Sequence, residues 1–405
     1  MSRKTTILCL ASYYKGGRFL EQCKKRDCHV ILVAPEKLRE SKWPHDCIDE
    51  IFFMPDLHQH PNITYAITYL ARSRHIDQII PLDDYDVPLA GNLREHMRMT
   101  GLGDTASRVF RDKLTMRDTA RRHGILVPEF TRVINYDELR MFMANVPPPW
   151  LLKPRGEAGA MGIKKLHDSE QLWRKLDELG DEQSYFVLEQ FVEGTVFHID
   201  SLVSDNHVIF SKTSKYGTPP LSVSHDGGVF TTKMLPEHDP DCQAITELNQ
   251  KVLQTFGLGL GSSHTEFLKG HADGKFYFVE TSARVGGASI DLMIEHASGV
   301  NLWAEWANLE IARARGETYQ LPTLYDKYTG LLVCLAKQEY PDLSGYNDPE
   351  VTWRMNKKHH AGLIIATKDY NRLESLLESY TQRFSHDFMA WLPPLEKATE
   401  YEEIN

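Results

Sequence analysis

The residues whose types and spacing best suit chemistry lie at the end of one apolar strand, in the stretch FVETSARVGG. This stretch places a carboxylate, Glu280, four positions before a guanidinium, Arg284, and a Gly-Gly pair closes it. A second carboxylate, Glu266, lies on the preceding strand, across the turn HADGK. If the two glutamates face each other on one side of this hairpin, they repel unless a cation lies between them, and a hard ion such as Mg²⁺ suits such a pair. Register cannot be read from a sequence, so the alternative in which one glutamate faces solvent stays open.

A second motif combines a lysine with a glycine-rich loop, in KPRGEAGAMGIKK. Lys153 ends an apolar strand, and three glycines space the loop that follows it. Backbone N–H groups of such a loop can surround phosphate oxygens while a lysine supplies positive charge. The stretch lacks the G-K-[ST] ending of a Walker A motif, and an ordinary flexible loop is the alternative interpretation.

Two further segments carry charged residues in a regular pattern. FRDKLTMRDTARRHGILVPEF is a charged helix that a His-Gly pair and a later proline bring to an end. YFVLEQFVEGTVFHID contains apolar strand residues interrupted by acids. Each has an ordinary interpretation when taken alone, as a salt-bridged surface helix and as an edge strand.

The elements that must position these residues follow two different patterns along the chain. Residues 1–104 alternate strand-like and helix-like segments, a β-α-β-α order that predicts a wound parallel sheet with functional loops at the carboxyl ends of its strands. Asp83, Asp84 and Asp86 follow one such strand, where they are interpreted as helix caps or as a site for a substrate amine. Later segments read as antiparallel strands and a long amphipathic helix, and the tail as a smaller α+β lobe.

Composition excludes several classes of protein. Of the 405 residues, 41% are hydrophobic and 25% charged, which is typical of globular chains with real cores. A formal charge of −10 argues against sequence-independent binding of nucleic acid, and no stretch reaches the ~20 apolar residues of a membrane span. Six scattered cysteines without metal-ligand spacing favour a reducing, cytoplasmic location.

The four motifs, taken in order, resemble those of the ATP-grasp superfamily of ATP-dependent carboxylate ligases, including its biotin-carboxylase-like branch. The resemblance covers about residues 105–315, through DKLTMRDTARRHGILVP, LLKPRGEAGAMG, EQFVEGTVFHID and ETSARVGG. It implies an α/β, three-lobed ATP-grasp architecture: an N-terminal pre-ATP-grasp sheet (1–104), a central ATP-grasp domain (105–316) and a C-terminal α+β lobe (317–405). The central domain would divide into a small lobe, about 111–186, and a large lobe, about 187–316.

The resemblance also implies roles for single residues. Lys113 and Lys153 would hold the nucleotide phosphates, and Glu189 would receive the adenine amino group. Glu266 and Glu280 would be Mg²⁺ ligands, with Mn²⁺ as a possible substitute. Arg284 would steady the transferred phosphoryl group, so that Arg284 and Lys153 are the predicted catalytic residues. Backbone contacts to the γ-phosphate and to adenine would come from Gly159, Ala160, Met161 and Gly162, and from Gln190, Phe191 and Val192.

Two positions depart from the family's pattern. Ser282 stands where the family has a metal-ligating asparagine, so one metal site is expected to be weaker or completed by water. Val196 stands where an acid often holds the ribose, which leaves Glu193 or His198 as candidates for that contact. Neither change removes the phosphate-binding set.

The implied activity is that of an ADP-forming ligase. ATP would phosphorylate a small-molecule carboxylate, and an amine, or as the weaker alternative a thiol, would attack the acyl phosphate. Two alternatives stay open: a carboxylase-type enzyme that activates bicarbonate, and a nucleotide-binding protein without turnover. A homodimer is usual among similar enzymes.

Overall fold

The structure, a computed structural model, describes residues 3–392. This part of the chain contains three β-sheets and the helices packed on them. Residues 393–405 of the predicted C-terminal lobe, and residues 1 and 2, lie outside that part. None of the described helices is both long and apolar enough to cross a bilayer.

The first sheet is parallel, with four strands in the order β3-β2-β1-β4. Its central strands are buried along nearly their whole length, as expected when helices cover both faces of a parallel sheet. The predicted wound sheet is therefore confirmed. Its strands are β1 (Thr6–Leu10), β2 (His29–Pro35), β3 (Glu50–Met54) and β4 (Gln78–Pro81), and its helices are α1 (Gly17–Lys25), α2 (Asn62–Ala71) and α3 (Val87–His96).

The second sheet is small and antiparallel, in the order β5-β8-β6-β7. Asp112 caps the helix that carries Lys113 by accepting a hydrogen bond from the amide of Thr115 at 3.1 Å. That helix ends at Arg122, before Gly124 with its φ of 65°, as the His-Gly pair predicts. The strands are β5 (Phe130–Arg132), β6 (Trp150–Pro154), β7 (Lys164–Leu166) and β8 (Phe186–Gln190), and the helices are α4 (Asp104–Arg108), α5 (Lys113–Arg122), α6 (Tyr136–Asn145) and α7 (Ser169–Leu179).

The third sheet is antiparallel and has eight strands in the order β13-β12-β9-β10-β11-β14-β16-β15. The three strands that follow residue 316 lie in the same sheet as the hairpin of Glu266 and Glu280. The sheet therefore continues across the predicted domain boundary at residue 316. The strands are β9 (Gly194–Ser204), β10 (His207–Tyr216), β11 (Phe230–Met234), β12 (Gly261–Gly270), β13 (Phe276–Ser282), β14 (Tyr328–Leu335), β15 (Val351–Arg354) and β16 (His360–Thr367). The helices are α8 (Pro220–Asp226), α9 (Pro240–Phe256), α10 (Ile290–Ser298), α11 (Leu302–Arg315) and α12 (Tyr370–Asp387).

One hydrophobic core joins the parallel sheet to the eight-stranded sheet through α10 and α11. Phe19 of α1 packs edge-on against Trp306 of α11, with ring centroids 5.2 Å apart. This packing holds the carboxyl end of β4 against the end of β13. The loops that follow these two strands therefore meet, and they carry the polar side chains of the site described next.

Candidate active site

The two predicted carboxylate ligands face each other. In the antiparallel pairing of β12 with β13, Glu266 lies opposite Glu280, and Ser282 lies opposite His264. Paired residues of neighbouring strands point to the same face of a sheet, so Glu266, Glu280 and Ser282 share one face. The register thus confirms that the glutamates are opposed, while their role as metal ligands stays a prediction.

A lysine from α5 relieves the repulsion between these glutamates. The Nζ atom of Lys113 lies 2.9 Å from Oε2 of Glu280 and donates to the carbonyl oxygen of Glu157 at 2.5 Å. Burial raises the pKa of Glu280, but Lys113 and then Lys153 lower it by more than burial raises it. The pKa of Glu280 is therefore below its usual range. Glu280 therefore stays ionised and already accepts one cation.

A second buried ion pair lies deeper, on β8. Glu189 is fully buried between Arg117, whose Nε lies 2.9 Å from Oε1, and Lys153, whose Nζ lies 2.7 Å from Oε2. Burial opposes ionisation, but the two cations outweigh it and lower the pKa of Glu189 to about 2. Arg117 also donates to the carbonyl oxygen of Val279 on β13. Glu189 thus positions Lys153, a role that the sequence did not predict, and its contact to adenine stays a prediction.

The glycine loop folds over the same region. Gly159, Ala160 and Gly162 have φ angles of 65°, 63° and 66°, a left-handed run that explains the two glycines. The carboxylate of Glu157 accepts a hydrogen bond from the hydroxyl of Tyr85 at 2.6 Å, which joins the loop to the parallel sheet. The amide of Met161 donates to the carbonyl of Ala158 at 3.3 Å. The start of the predicted phosphate-binding loop therefore lies beside Lys113, which donates to the carbonyl of Glu157.

Arg284 meets the carboxyl end of β4. Its Nη1 donates to the carbonyl oxygen of Val285 at 2.7 Å, and its Nε lies 4.0 Å from Oδ1 of Asp84. Asp84 is buried, and Arg111 donates to its Oδ2 at 2.5 Å. Burial raises the pKa of Asp84, but Arg111 and then Arg284 hold it below its usual range. The sequence missed Arg111, which directly precedes the D-K pair of the first motif.

The three aspartates after β4 have different partners. Asp83 accepts a hydrogen bond from the amide of Tyr85 at 3.0 Å, which confirms a capping role, and pairs with Lys15 at 2.5 Å. Asp86 accepts hydrogen bonds from the amide and the hydroxyl of Ser12 at 2.7 and 2.6 Å. Burial and then Asp83 raise the pKa of Asp86 to about 7, although Ser12 and Lys15 act in the opposite direction and Nε2 of His58 lies 3.7 Å from its Oδ1.

Another buried carboxylate, Asp200, lies on β9 beside the glutamate pair. Asp200 accepts from Nδ1 of His198 at 2.7 Å and from Nδ1 of His264 at 2.9 Å, and Nε2 of His198 lies 2.8 Å from Oγ1 of Thr232. Burial lowers the pKa of His264, but Asp200 outweighs it and raises that pKa to about 10. His198 is fully buried with both ring nitrogens bonded, so its suggested contact to ribose is wrong, and Glu193 is left as the candidate.

Val196 and Ser282 both lie on strands of the eight-stranded sheet. Val196 lies on β9 opposite Leu268, and Ser282 is among the groups that lower the pKa of Asp84. Among the described residues, no other side chain takes the place of the family's ribose-binding acid or of its metal-binding asparagine.

No protein-family model matches the chain, but relatives and solved structures do. It is 26% identical over 272 residues to an L-arginine-specific L-amino acid ligase of Bacillus subtilis, and this match spans 65% of each chain, just under two thirds of that relative. Its fold is similar to that of an L-amino acid ligase from Bacillus licheniformis, with a TM-score of 0.75 and 15% identity over 96% of this chain and 98% of the other. The biotin carboxylase domain of Hydrogenobacter thermophilus 2-oxoglutarate carboxylase, solved with MgADP and bicarbonate, gives a TM-score of 0.67 and 18% identity over 94% and 90% of the two chains.

Proposed function

Since this chain has the fold of the ATP-grasp superfamily, we propose that it is an ATP-dependent ligase that joins a small-molecule carboxylate to an amine. The observation that carries the proposal is one cluster of opposed charges. Lys113 contacts Glu280, Glu280 lies opposite Glu266, and Arg284 follows on the same strand end, under a glycine loop. Phosphoryl transfer needs this combination of cations around the phosphates and hard oxygen ligands for a metal.

The proposed reaction has two steps. A carboxylate oxygen of the acid attacks the γ-phosphorus of ATP, the bond from that phosphorus to the β,γ-bridging oxygen breaks, and ADP leaves. The amine nitrogen then attacks the acyl carbon, the bond from carbon to the phosphate oxygen breaks, phosphate leaves, and the nitrogen releases one proton. Lys113, Lys153 and Arg284 neutralise charge and hold the phosphates in place, so the protein supplies no nucleophile.

The residues fit a bound Mg²⁺. Glu266 and Glu280 offer carboxylate oxygens on adjacent strands, Ser282 adds a hydroxyl, and Glu280 already binds the ammonium group of Lys113. When bound there, Mg²⁺ would supply charge neutralisation at the phosphate oxygens. Lys113 would then exchange the carboxylate of Glu280 for a phosphate. Mn²⁺ is proposed as a substitute because it accepts the same oxygen ligands.

We propose amino acids as the substrates, since the named relatives are amino-acid ligases. The six cysteines are free, which supports a reducing compartment and therefore a cytoplasmic location. The homodimer that the resemblance implies belongs to the same proposal, and size-exclusion chromatography with light scattering tests it.

The decisive experiment is a screen for ADP and phosphate release over amino acids, alone and in pairs, with bicarbonate as a separate arm. We expect ADP formation that depends on an amino acid and on Mg²⁺. Glu280→Gln and Arg284→Ala should each lower the rate at least ~100-fold, because each removes charge from the site of phosphoryl transfer. The matched controls are Glu170→Gln and Arg174→Ala, which change an exposed ion pair on α7.

Three outcomes would contradict the proposal. Full activity in Glu280→Gln or Arg284→Ala, with an unchanged melting temperature, would overturn the site. ADP release that needs only bicarbonate would favour the carboxylase alternative. Tight binding of ATP without ADP formation in any arm would favour the nucleotide-binding protein without turnover.

A further inference from the structure

The network of His198, Asp200 and His264 lies beside the glutamate pair on the same sheet face. In the pairing of β12 with β9, Glu266 lies opposite His198, and His264 lies opposite Asp200. Side chains of paired residues share a face, so this network and the two glutamates form two adjacent polar rows across three strands. Cross-strand neighbours lie close enough to interact directly.

Nearly every polar atom of the network is already bonded within it. Both oxygens of Asp200 accept from imidazole Nδ1 atoms, and Nε2 of His198 contacts Thr232. His198 and Asp200 are fully buried, whereas the side chain of His264 is 12% exposed. The remaining ring nitrogen, Nε2 of His264, lies 3.7 Å from Oε1 of Glu266. The network therefore presents one nitrogen, fixed in orientation, toward a predicted metal ligand.

The same oxygen of Glu266 has a second partner. The hydroxyl of Tyr216 donates to Oε1 at 2.8 Å, and the Tyr216 ring packs against the His198 ring, with centroids 4.8 Å apart. Within residues 3–392, Oε2 of Glu266 has no hydrogen-bond partner. One oxygen of Glu266 is thus held, and the other is left for a ligand.

The loop that carries Arg284 rests on this network as well. A Cβ atom added to Gly286 would lie 2.5 Å from Oδ1 of Asp200 and 3.0 Å from Nδ1 of His264. Only glycine permits so close an approach. The hydrogen bond between Asp200 and His264 therefore supports both the glutamate and the loop of the predicted catalytic arginine.

The network could also be considered as a metal site, since the ligand atoms of His198, Asp200 and His264 lie within 4.8 Å of one another. Its hydrogen bonds argue for a different role. Both Nδ1 atoms point at Asp200 at hydrogen-bond distance, and a metal would have to displace both contacts.

We propose that His264, fixed by Asp200 and His198, is a positioning residue that orients Glu266 so that its free oxygen binds the divalent cation of the nucleotide complex. The inference rests on the proposed function, because it concerns the cation of that site. Groups that orient metal ligands typically contribute 10- to 100-fold to metal affinity. Tyr216 shares this role, since its hydroxyl donates to the same oxygen of Glu266 at 2.8 Å.

The test titrates MgCl₂ at a fixed concentration of ADP and measures the melting temperature, a readout that needs no turnover. We expect His264→Gln to raise the half-saturating Mg²⁺ concentration about 10-fold, with the shift caused by ADP alone unchanged. Tyr216→Phe should raise it as well, since it removes the 2.8 Å hydrogen bond to Oε1, and this variant also serves if His264→Gln fails to fold. His207→Gln is the control, since His207 is exposed and its ring bonds only to the backbone of its own turn.

A double-variant comparison tests the route of the effect. If His264 acts through Glu266, then adding His264→Gln to Glu266→Gln should change the Mg²⁺ requirement less than twofold. Additive effects, or a single variant that titrates like the unchanged protein, would overturn the inference. Stoichiometric zinc in the purified protein that is lost in His264→Gln would overturn it in favour of a metal site. If Mg²⁺ adds no stabilisation to ADP even in the unchanged protein, the proposed function fails together with the inference.

Discussion

Two fully buried carboxylates in different parts of the fold differ in how easily they ionise. Glu189, on β8 of the small antiparallel sheet, lies between Arg117 and Lys153, and its pKa falls to about 2. Asp86, which follows β4 of the parallel sheet, accepts hydrogen bonds from Ser12, but burial and then the neighbouring Asp83 outweigh these bonds and the charge of Lys15, and its pKa rises to about 7. Burial raises the pKa of both, so the partners alone decide which carboxylate is charged near neutral pH.

This difference separates a region of fixed charge from one whose charge can change. Two cations flank the one carboxylate of Glu189, so it stays ionised and holds Lys153 in position across the pH range. Within residues 3–392 no lysine or arginine lies at ion-pair distance from Asp86, which leaves a carboxyl that a cationic ligand could ionise. Substitutions at Glu189 and at Asp86 test this difference directly. A substitution at Tyr85, whose hydroxyl donates to Glu157 of the glycine loop, tests the contact between the two regions.

The largest effect is expected from Glu189→Gln. Removing this charge leaves Arg117 and Lys153 buried without a counter-charge, a change that typically costs about 3–5 kcal/mol. Urea unfolding should show that loss, and ADP formation should disappear because Lys153 is no longer held. The control Glu170→Gln, on an exposed pair, should change the free energy of unfolding by less than about 0.5 kcal/mol. A Glu189→Gln variant as stable as the parent would mean that the ion pairs do not hold this region.

Asp86→Asn tests the other carboxylate through pH. The pKa of Asp86 is about 7 in the fold and 3.8 as its ordinary value, so its contribution to stability is present below pH 4 and is lost as the pH rises through 7. The asparagine variant lacks this loss. Between pH 4 and 8 it should therefore gain up to about 4 kcal/mol relative to the parent, at about 1.4 kcal/mol for each pKa unit.

Urea unfolding of both proteins across that pH range measures the difference. Asp27→Asn is the matched control, since the Asp27 side chain is 77% exposed and should follow the parent at every pH. A constant difference between Asp86→Asn and the parent would contradict the raised pKa and remove the contrast with Glu189.

The sequence predicted the strands and loops that carry the motif residues but not the partners of these residues, and the reason is physical. Lys113, Lys153, Glu266 and Glu280 lie in local patterns of strand, loop and spacing, and the register shows that the glutamates are opposed. Partner choice depends instead on which distant segments the packing brings together. Asp84, for example, reaches Arg284 only because α10 and α11 hold two sheets in contact.

Arg117 and His264 show which features of a site residue the sequence can predict and which it cannot. Arg117 is the last residue of the D-K-x-x-x-[RK] pattern and lies one helical turn after Lys113, so its direction was predictable but its partner on β8 was not. His264 lies two residues before Glu266, and strand periodicity places both on one face. Asp200, which fixes the ring, comes from β9, and only the register reveals that contact.

The smallest effect is expected at the contact that joins the two regions, in Tyr85→Phe. The variant keeps the ring, which packs 3.9 Å from the Arg111 guanidinium carbon, and removes only the hydroxyl that donates to Glu157. One hydrogen bond of this kind contributes about 0.5–1.5 kcal/mol. We expect the amides of residues 156–162 to exchange hydrogen several-fold faster, because the glycine loop is held less firmly, while exchange in the strands β6 and β8 stays the same.

Tyr65→Phe, on an exposed side chain of α2, is the control and should leave the loop unchanged. Equal exchange in Tyr85→Phe and the parent would show that the loop is held without this hydrogen bond, and the two regions would then be independent of each other.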